Sequence, residues 1–196
     1  MFKLKIINIL TVITVTILIL TGCSYKGNFQ RKNDVSVSIE STQTEALDSD
    51  VELLGPYTVT KVVDGDTIDV LADGIKIRVR MIGVNTPESV APDETRNNEY
   101  GKIASDFTKE KLSDKNVWLE YDIEKEDKYG RDLAYVYYEE DGQMKMFNKT
   151  LLEIGYAEVM IIEPNSKYSE TFFETMSGAV KNKVGFWTDD TENIFK

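Results

Sequence analysis

Residues 54–196 predict an α+β domain in which a five-stranded Greek-key β-barrel is combined with about three helices. Two observations support this fold class. The first is a series of three alternating, β-branched segments that are separated by short turn sequences. The second is an amphipathic helix pattern between the third and fourth strand patterns, with two further helix patterns after the fifth strand.

The first three strands are predicted to form a meander. Alternating β-branched and polar residues predict strands at Tyr57–Val63, Thr67–Leu71 and Ile75–Ile82. The sequences Asp64-Gly65-Asp66 and Ala72-Asp73-Gly74 separate these strands and are typical of tight turns.

The next segments supply the first helix and two more strands. Residues Glu99–Leu112 predict a helix, and Val117–Tyr121 and Leu133–Tyr138 predict the fourth and fifth strands. The predicted buried face of this helix consists of Ile103, Ala104, Phe107, Lys111 and Leu112. Five strands with a helix between the third and fourth indicate a barrel of the OB type.

Two shorter helices are predicted near the end of the chain. The first covers Phe147–Ile154, with Gly155 at its C′ position. Ser169 is the predicted N-cap of the last helix. Its predicted buried side consists of Phe172, Phe173, Met176, Ala179 and Val180. Trp118, Tyr135 and Phe147 are expected in the core.

The N-terminal residues predict export and lipid attachment. Two lysines precede an apolar run from Ile6 to Leu20, which is the length of a signal-peptide core. The sequence Leu20-Thr21-Gly22-Cys23 resembles a bacterial lipobox, in which Cys23 is lipidated and becomes the mature N-terminus. An ordinary signal peptide with a coincidental cysteine is the alternative. We therefore expect a lipoprotein signal peptide at 1–22, a flexible tether at 23–53 and one domain at 54–196.

Composition restricts the possible chemistry. The chain has no histidine, so a histidine general base and histidine-ligated zinc are excluded. Its single cysteine excludes an internal disulfide. The net charge is −11, whereas proteins that bind nucleic acid usually present a basic face.

Four charged residues on three short segments are the candidate reactive groups. Asp66 lies in a turn, Arg80 and Glu88 flank a loop, and Arg131 follows a Lys-Tyr-Gly sequence. Arginines, carboxylates and an oxygen-rich turn can hydrolyse a phosphodiester together with a hard metal ion. Both arginines are expected to face an open site. Each segment also has a simpler interpretation: a hairpin turn, a charge at the barrel edge, or an ion pair of Arg131 with the adjacent Asp132.

Three motifs in this order resemble the thermonuclease family, whose best-known member is staphylococcal nuclease. They are Asp64-Gly65-Asp66-Thr67, residues 80–88 (RMIGVNTPE) and residues 127–131 (DKYGR). The similarity continues through residues 148–157 and ends near Trp187. It implies an OB-fold barrel and a Ca²⁺-dependent endonuclease that acts on DNA and RNA and leaves 3′-phosphates.

The resemblance also implies a role for each matching residue. Asp66, Asn85 and the backbone carbonyl of Thr86 are the implied Ca²⁺ ligands. The implied catalytic residues are Arg80, Glu88 and Arg131, and the implied contacts to the nucleotide phosphate are Lys128 and Tyr129. The partners expected from this are single-stranded nucleic acid and, through the lipid on Cys23, the outer face of the cell membrane, from which part of the protein is released. A monomer is expected.

Two positions depart from the family pattern. Asn85 stands where the best-known member has an aspartate, so the implied metal site has one negative charge fewer. The segment from Glu158 to Pro164 is one residue shorter and lacks tyrosines, although a cis peptide bond is still expected at Glu163–Pro164. The alternative function is a catalytically weak or inactive OB-fold module that binds nucleic acid or protein.

Overall fold

The computed structural model describes residues 51–89, 99–188 and 194–195. The predicted signal peptide, Cys23 and nearly all of the predicted tether lie outside the described residues. Within the described ranges, no helix is both long and apolar enough to cross a membrane. The elements in chain order are β1 (Leu54–Asp64), β2 (Thr67–Ala72), β3 (Ile75–Met81), β4 (Gly83–Asn85), α1 (Glu99–Leu112), β5 (Asn116–Glu126), β6 (Asp132–Glu140), β7 (Gln143–Met146), α2 (Phe147–Glu153), β8 (Glu158–Met160) and α3 (Ser169–Lys181).

Five of the strands form the closed barrel that the sequence predicts. Their order is β3-β2-β1-β5-β6, and parallel pairing of β3 with β6 closes the sheet. Every other pairing in the barrel is antiparallel. Closure leaves no free edge among these five strands. The α+β, five-stranded barrel of the OB type is therefore confirmed.

Three short strands were not predicted. The strand β7 pairs with β6, and β4 and β8 form a separate antiparallel pair in which Asn85 lies opposite Glu158. Each has only three or four residues. Such lengths are too short for an alternating pattern to be recognised in the sequence.

The core fills the barrel and the space beneath α2 and α3. Its largest fully buried side chains include Tyr135, Phe147 and Phe172, and Trp118 packs against the core while half-buried. These observations confirm Tyr135 and Phe147 as core residues. In α1, Ala104 and Leu112 are buried as expected.

Some predicted helix faces were wrong in part. On α1, Ile103 is 42% exposed, and on α3, Phe173 and Val180 are 49% and 43% exposed. The helix α3 packs on α2 and β8 along a stripe that contains Phe172, Met176 and Ala179. These residues lie at i, i+4 and i+7 and therefore share one face of the helix. Phe173 and Val180 each directly follow a residue of this stripe, so their side chains point away from the contact.

The helix ends agree with the sequence in one case and not in the other. Ile154 is the C-cap of α2, and Gly155 follows at C′ with a φ of +69°. Ser169 is not the N-cap of α3, because Tyr168 occupies that position and Ser169 is the first helical residue. The cis peptide bond expected at Glu163–Pro164 is present.

Candidate active site

The turn between β1 and β2 holds Asp66 in a buried position, where its carboxylate accepts three hydrogen bonds. Asp66 is 5% exposed. Its Oδ1 accepts a bond from Thr67 Oγ1 at 3.0 Å. Its Oδ2 accepts from the backbone N–H and from Oγ1 of Thr86, at 2.9 and 3.2 Å. Asp66 therefore connects the turn to the segment that follows β4.

Gly65 allows the neighbouring elements to approach this turn closely. A Cβ at position 65 would lie 2.8 Å from Thr86 Oγ1 and 3.0 Å from the Cβ of Ala104. The carbonyl of Gly65 accepts a hydrogen bond from Thr108 Oγ1 of α1 at 2.7 Å. The turn is thus held in place by α1 on one side and by Thr86 on the other.

Arg80 lies at the end of β3 and is fixed by four acceptors. Its Nη1 donates to the carbonyls of Met81 and Val84, both at 2.8 Å. Its Nη2 lies 3.1 Å from Asp66 Oδ2 and 3.5 Å from Asn85 Oδ1. The side chain is only 10% exposed. The expectation that Arg80 faces an open site is wrong, because backbone carbonyls and Asp66 surround its guanidinium.

Two of the oxygens implied as metal ligands therefore lie beside the same guanidinium nitrogen. Asp66 Oδ2 and Asn85 Oδ1 are both near one cationic nitrogen, Arg80 Nη2. A carboxylate and an amide carbonyl are ligands that suit Ca²⁺, which binds oxygen in flexible geometry. The donor set fits such an ion. Within the described ranges, no three acidic or cysteine side chains are grouped so that they alone could hold a metal.

Glu88 lies on a segment that two contacts hold against the barrel. Ser89 Oγ donates to Asp64 Oδ1 at 2.7 Å, and the same oxygen accepts the N–H of Gly65 at 2.9 Å. The helix α1 approaches the chain here at Gly101, where a Cβ would lie 2.2 Å from the carbonyl oxygen of Glu88. The position of Glu88 is thus set through its backbone and its neighbour Ser89.

Asp64 is a site residue that the sequence did not identify. It is 8% exposed. The pKa of its carboxyl is raised to about 6, because burial, helped by the charges of Asp66 and Glu88, outweighs the lowering by the bonds from Ser89 and Gly65. Ser89, which donates to Asp64, directly follows Glu88, so Asp64 links the turn to the Glu88 segment. The sequence suggested only a turn role for Asp64, although its spacing of two residues from Asp66 was a usable signal.

The third motif forms the loop between β5 and β6. Arg131 Nε and Nη2 both lie 2.7 Å from Asp127 Oδ2. Tyr129 is 72% exposed, with Lys128 Nζ 5.0 Å and Arg131 Cζ 5.6 Å from its ring centroid. Arg131 therefore pairs with Asp127. The predicted alternative partner, Asp132, instead accepts the Tyr121 hydroxyl.

Strand pairing determines how the three motifs are arranged. Thr67 pairs with Arg80 across β2 and β3, and Arg80 pairs with Leu133 across β3 and β6. The first two motifs are joined by direct bonds among Asp66, Arg80, Asn85 and Thr86. The third motif ends two residues before Leu133, the residue paired with Arg80, and Arg131 and Lys128 interact within their own loop.

Comparison with known proteins identifies the family of this chain. The sequence profile of the family described as "Staphylococcal nuclease homologue" matches residues 78–189. The thermonuclease of Staphylococcus hyicus is 45% identical over 133 residues, which is 68% of this chain and 76% of that protein. The thermonuclease of Staphylococcus intermedius is 45% identical over 131 residues, covering 67% and 75%. Endonuclease YncB of Bacillus subtilis is 40% identical over 133 residues, covering 67% and 61%. Because the family profile matches more than half of the chain and two thermonucleases are 45% identical over about two thirds of it, the chain belongs to the staphylococcal nuclease family.

Proposed function

We propose that this chain is a Ca²⁺-dependent nuclease that hydrolyses phosphodiester bonds of DNA and RNA and leaves 3′-phosphate products. The observation that carries the proposal is the convergence of Asp66 Oδ2 and Asn85 Oδ1 on Arg80 Nη2, at 3.1 and 3.5 Å. This arrangement combines oxygen ligands and a guanidinium at one point. Family membership supports the same chemistry.

Asp66, Asn85 and the carbonyl of Thr86 are the residues that would hold the metal ion. They supply one carboxylate and two neutral oxygens, so water would complete the coordination that Ca²⁺ requires. When bound, the ion supplies Lewis-acid polarisation of a phosphoryl oxygen. The chain itself supplies the remaining groups.

The two arginines stabilise the charge that develops on the phosphate. A planar guanidinium can donate two parallel bonds to phosphate oxygens. Arg80 is oriented through Nη1 by the carbonyls of Met81 and Val84, and its Nη2 must exchange Asp66 and Asn85 for the phosphate. Arg131 must exchange Asp127 for the phosphate. Each well-placed donor of this kind is worth about 3–4 kcal/mol in the transition state.

Glu88 positions the attacking water or accepts its proton. A general base must be held within hydrogen-bond reach of that water. The bond from Ser89 to Asp64 and the close contact at Gly101 fix the backbone on which Glu88 is carried. The carboxylate can then act without first ordering its own segment.

Lys128 and Tyr129 contact the substrate beside the reacting phosphate. Lys128 and most of the Tyr129 ring are exposed, and the cations of Lys128 and Arg131 lie near the ring. Aromatic side chains can stack on unpaired bases, and lysine can contact the backbone. Stacking on Tyr129 favours a single-stranded substrate, which the protein would bind as a monomer.

A nuclease assay with metal control tests the proposal. We expect the full chain, kept in detergent, to cleave single-stranded DNA and RNA with Ca²⁺ and to stop when a chelator is added. Arg131→Ala serves as the inactive control prepared in the same way. Full activity in excess chelator would exclude the metal mechanism.

A non-catalytic binding module is the second candidate function. The net charge of −11 and the neutral Asn85 favour it, because both weaken the electrostatic basis of a metal-dependent nuclease. This candidate predicts binding of nucleic acid or protein without cleavage at any Ca²⁺ concentration. The same assay, accompanied by a binding measurement, distinguishes the two functions.

The proposed location is the outer face of the cell membrane, with partial release. The support is the sequence Leu20-Thr21-Gly22-Cys23 after an apolar run. Metabolic labelling with a fatty-acid analogue should mark the wild-type protein and leave Cys23→Ala unmarked. Absence of label on the wild type would refute lipid attachment.

A further inference from the structure

Asn85 and Glu158 form a pair at the edge of the site. They lie directly opposite each other in the antiparallel β4–β8 sheet. Opposed residues in such a pair have side chains close enough for direct contact. Asn85 Nδ2 donates to Glu158 Oε1 at 3.0 Å, and both residues are half-buried.

This contact fixes which end of the Asn85 amide faces the metal ligands. A carboxylate only accepts hydrogen bonds, so it selects the NH₂ end of the amide. The opposite orientation would place two oxygens against each other. With Nδ2 directed to Glu158, Asn85 Oδ1 lies 3.5 Å from Arg80 Nη2, which also contacts Asp66.

We propose that Glu158 is a positioning residue for the metal site, since it holds the carbonyl oxygen of Asn85 toward the ion. The inference rests on the proposed Ca²⁺ function and adds a residue outside the three motifs. An aspartate at position 85 would need no such orientation, because its two oxygens are equivalent. Asparagine has one ligand atom, so the neighbour that orients it determines whether that atom is available.

The pair would make aspartate at position 85 unfavourable in this chain. Beside Glu158, an aspartate there would place two carboxylates at hydrogen-bond distance, and like charges opposed across strands destabilise a sheet. Asn85 and Glu158 are therefore matched to each other. Changing both residues together should restore a site that changing one of them disrupts.

Direct measurement of Ca²⁺ binding tests the proposal without relying on activity. We would titrate the full chain, in detergent, with Ca²⁺ by calorimetry and record the rise in unfolding temperature that Ca²⁺ causes. The variants are Glu158→Lys, Glu158→Gln and the double variant Asn85→Asp with Glu158→Lys. Glu174→Lys, on the exposed side of α3, makes the same change in charge and is the matched control.

The expected results differ between these variants. In Glu158→Lys the new ammonium group only donates, so it would attract Asn85 Oδ1 and turn the NH₂ group toward the ion, and Ca²⁺ affinity should fall at least about tenfold. Glu158→Gln retains an acceptor at this position and should remain within about threefold of the wild type. The double variant should recover the wild-type affinity, because one oxygen of the introduced aspartate can bind the introduced lysine while the other faces the ion. Glu174→Lys should remain within about twofold.

Three results would overturn the inference. In the first, Glu158→Lys binds Ca²⁺ as well as Glu174→Lys does. In the second, Glu158→Gln binds Ca²⁺ as weakly as Glu158→Lys does. That result would mean that the charge of residue 158, and not the orientation of the Asn85 amide, determines the affinity. In the third, the double variant remains as weak as Glu158→Lys. Failure of both the wild type and the double variant to bind Ca²⁺ would instead refute the proposed metal site, and the role of Glu158 with it.

Discussion

Arg131 and Asp127 are joined in the loop between β5 and β6, where Nε and Nη2 of the arginine both lie 2.7 Å from Oδ2 of the aspartate. The other oxygen, Asp127 Oδ1, accepts the backbone N–H groups of Tyr129 and Arg131. One carboxylate therefore orders the loop and occupies the guanidinium. A phosphate that binds Arg131 must compete with Asp127.

Weakening this competition should improve substrate binding. Asp127→Asn keeps a carbonyl oxygen for the backbone N–H groups but removes the negative charge. Partly exposed ion pairs are typically worth about 0.2–1 kcal/mol, which corresponds to up to about fivefold in an equilibrium constant. We expect KM to fall by about two- to fivefold, with kcat within about twofold. Steady-state kinetics on a short single strand measures this, and an unchanged or higher KM would contradict it.

The two arginines should differ in what their replacement does to stability. Arg80→Lys and Arg131→Lys should each lower kcat more than about tenfold, because lysine cannot make the planar two-bond contact. Arg80 also donates to two backbone carbonyls while buried, so its loss should cost about 1–3 kcal/mol of unfolding free energy.

Urea unfolding of both variants checks this difference. Arg131 is exposed enough that Arg131→Lys should change the unfolding free energy by less than about 1 kcal/mol. It therefore serves as the matched control for Arg80→Lys. Equal unfolding free energies for the two variants would show that the carbonyl contacts of Arg80 do not contribute to stability.

The barrel was predictable from local patterns, whereas the burial of Arg80 was not. Strands β1 to β3 show clear alternation, and Gly155 marks the end of α2 in the sequence itself. Alternation tells which face a side chain is on but not whether other segments cover it. Arg80 is covered by Met81, Val84 and Asp66, and this arrangement depends on how the chain turns after β3.

The same limit applies to contacts between distant segments. The three motifs indicated Asp66, Arg80 and Asn85, and the structure joins them directly. The contact between Asn85 and Glu158 spans 73 residues and depends on two three-residue strands. Strands this short carry no periodic signal. Neither residue alone indicated the other.

Ser89 should be needed to hold Glu88 in position. Ser89→Ala removes the 2.7 Å bond to Asp64 that ties the Glu88 segment to the turn. A bond of this kind is worth about 1 kcal/mol, so kcat should fall about three- to tenfold while KM changes little. Ser166→Ala, which removes a hydroxyl contact to Glu163, is the matched control and should leave kcat unchanged. A kcat for Ser89→Ala equal to that of the control would exclude a positioning role.

Glu140 should make stability depend on pH below about 4.5. It accepts bonds from Lys111 of α1 at 2.6 Å and Lys145 of β7 at 2.8 Å. These contacts lower the pKa of Glu140 from 4.5 to about 2. Because the pKa is lower in the folded state, the stabilisation is present above pH 4.5 and is lost as pH falls toward 2.

A pair of variants isolates this contribution. Glu140→Gln should reduce the unfolding free energy by about 0.5–1 kcal/mol at pH 7, since both lysines are partly exposed, and by about half as much at pH 3. Glu139→Gln, on the exposed face of the same strand, should have no such effect. A deficit for Glu140→Gln that is the same at both pH values would contradict the assignment.

The affinity for nucleic acid should first rise and then fall with added salt. The chain carries a net charge of −11. Arg78, Arg80 and Arg131 are each bound to a carboxylate, of Asp69, Asp66 and Asp127 respectively. Long-range attraction of the chain to a polyanion is therefore weak. Binding depends instead on contacts of these arginines within the site and on bound Ca²⁺. At 0.01 M salt the Debye length is about 30 Å, so the acidic chain repels nucleic acid over a long range. Added salt should screen this repulsion and raise the affinity.

The measurement is the affinity for a short single strand at fixed Ca²⁺, with Glu88→Gln used to prevent cleavage. From 0.01 to about 0.1 M salt the Debye length shortens to about 10 Å, which screens distant acidic residues but affects contacts within the site less. Affinity should therefore reach a maximum near 0.1 M and decline above it as the local contacts are screened. A protein that binds through a basic face loses affinity from the lowest salt upward, because the release of counterions becomes less favourable. A steep and continuous loss here would mean that such a face exists despite the acidic net charge.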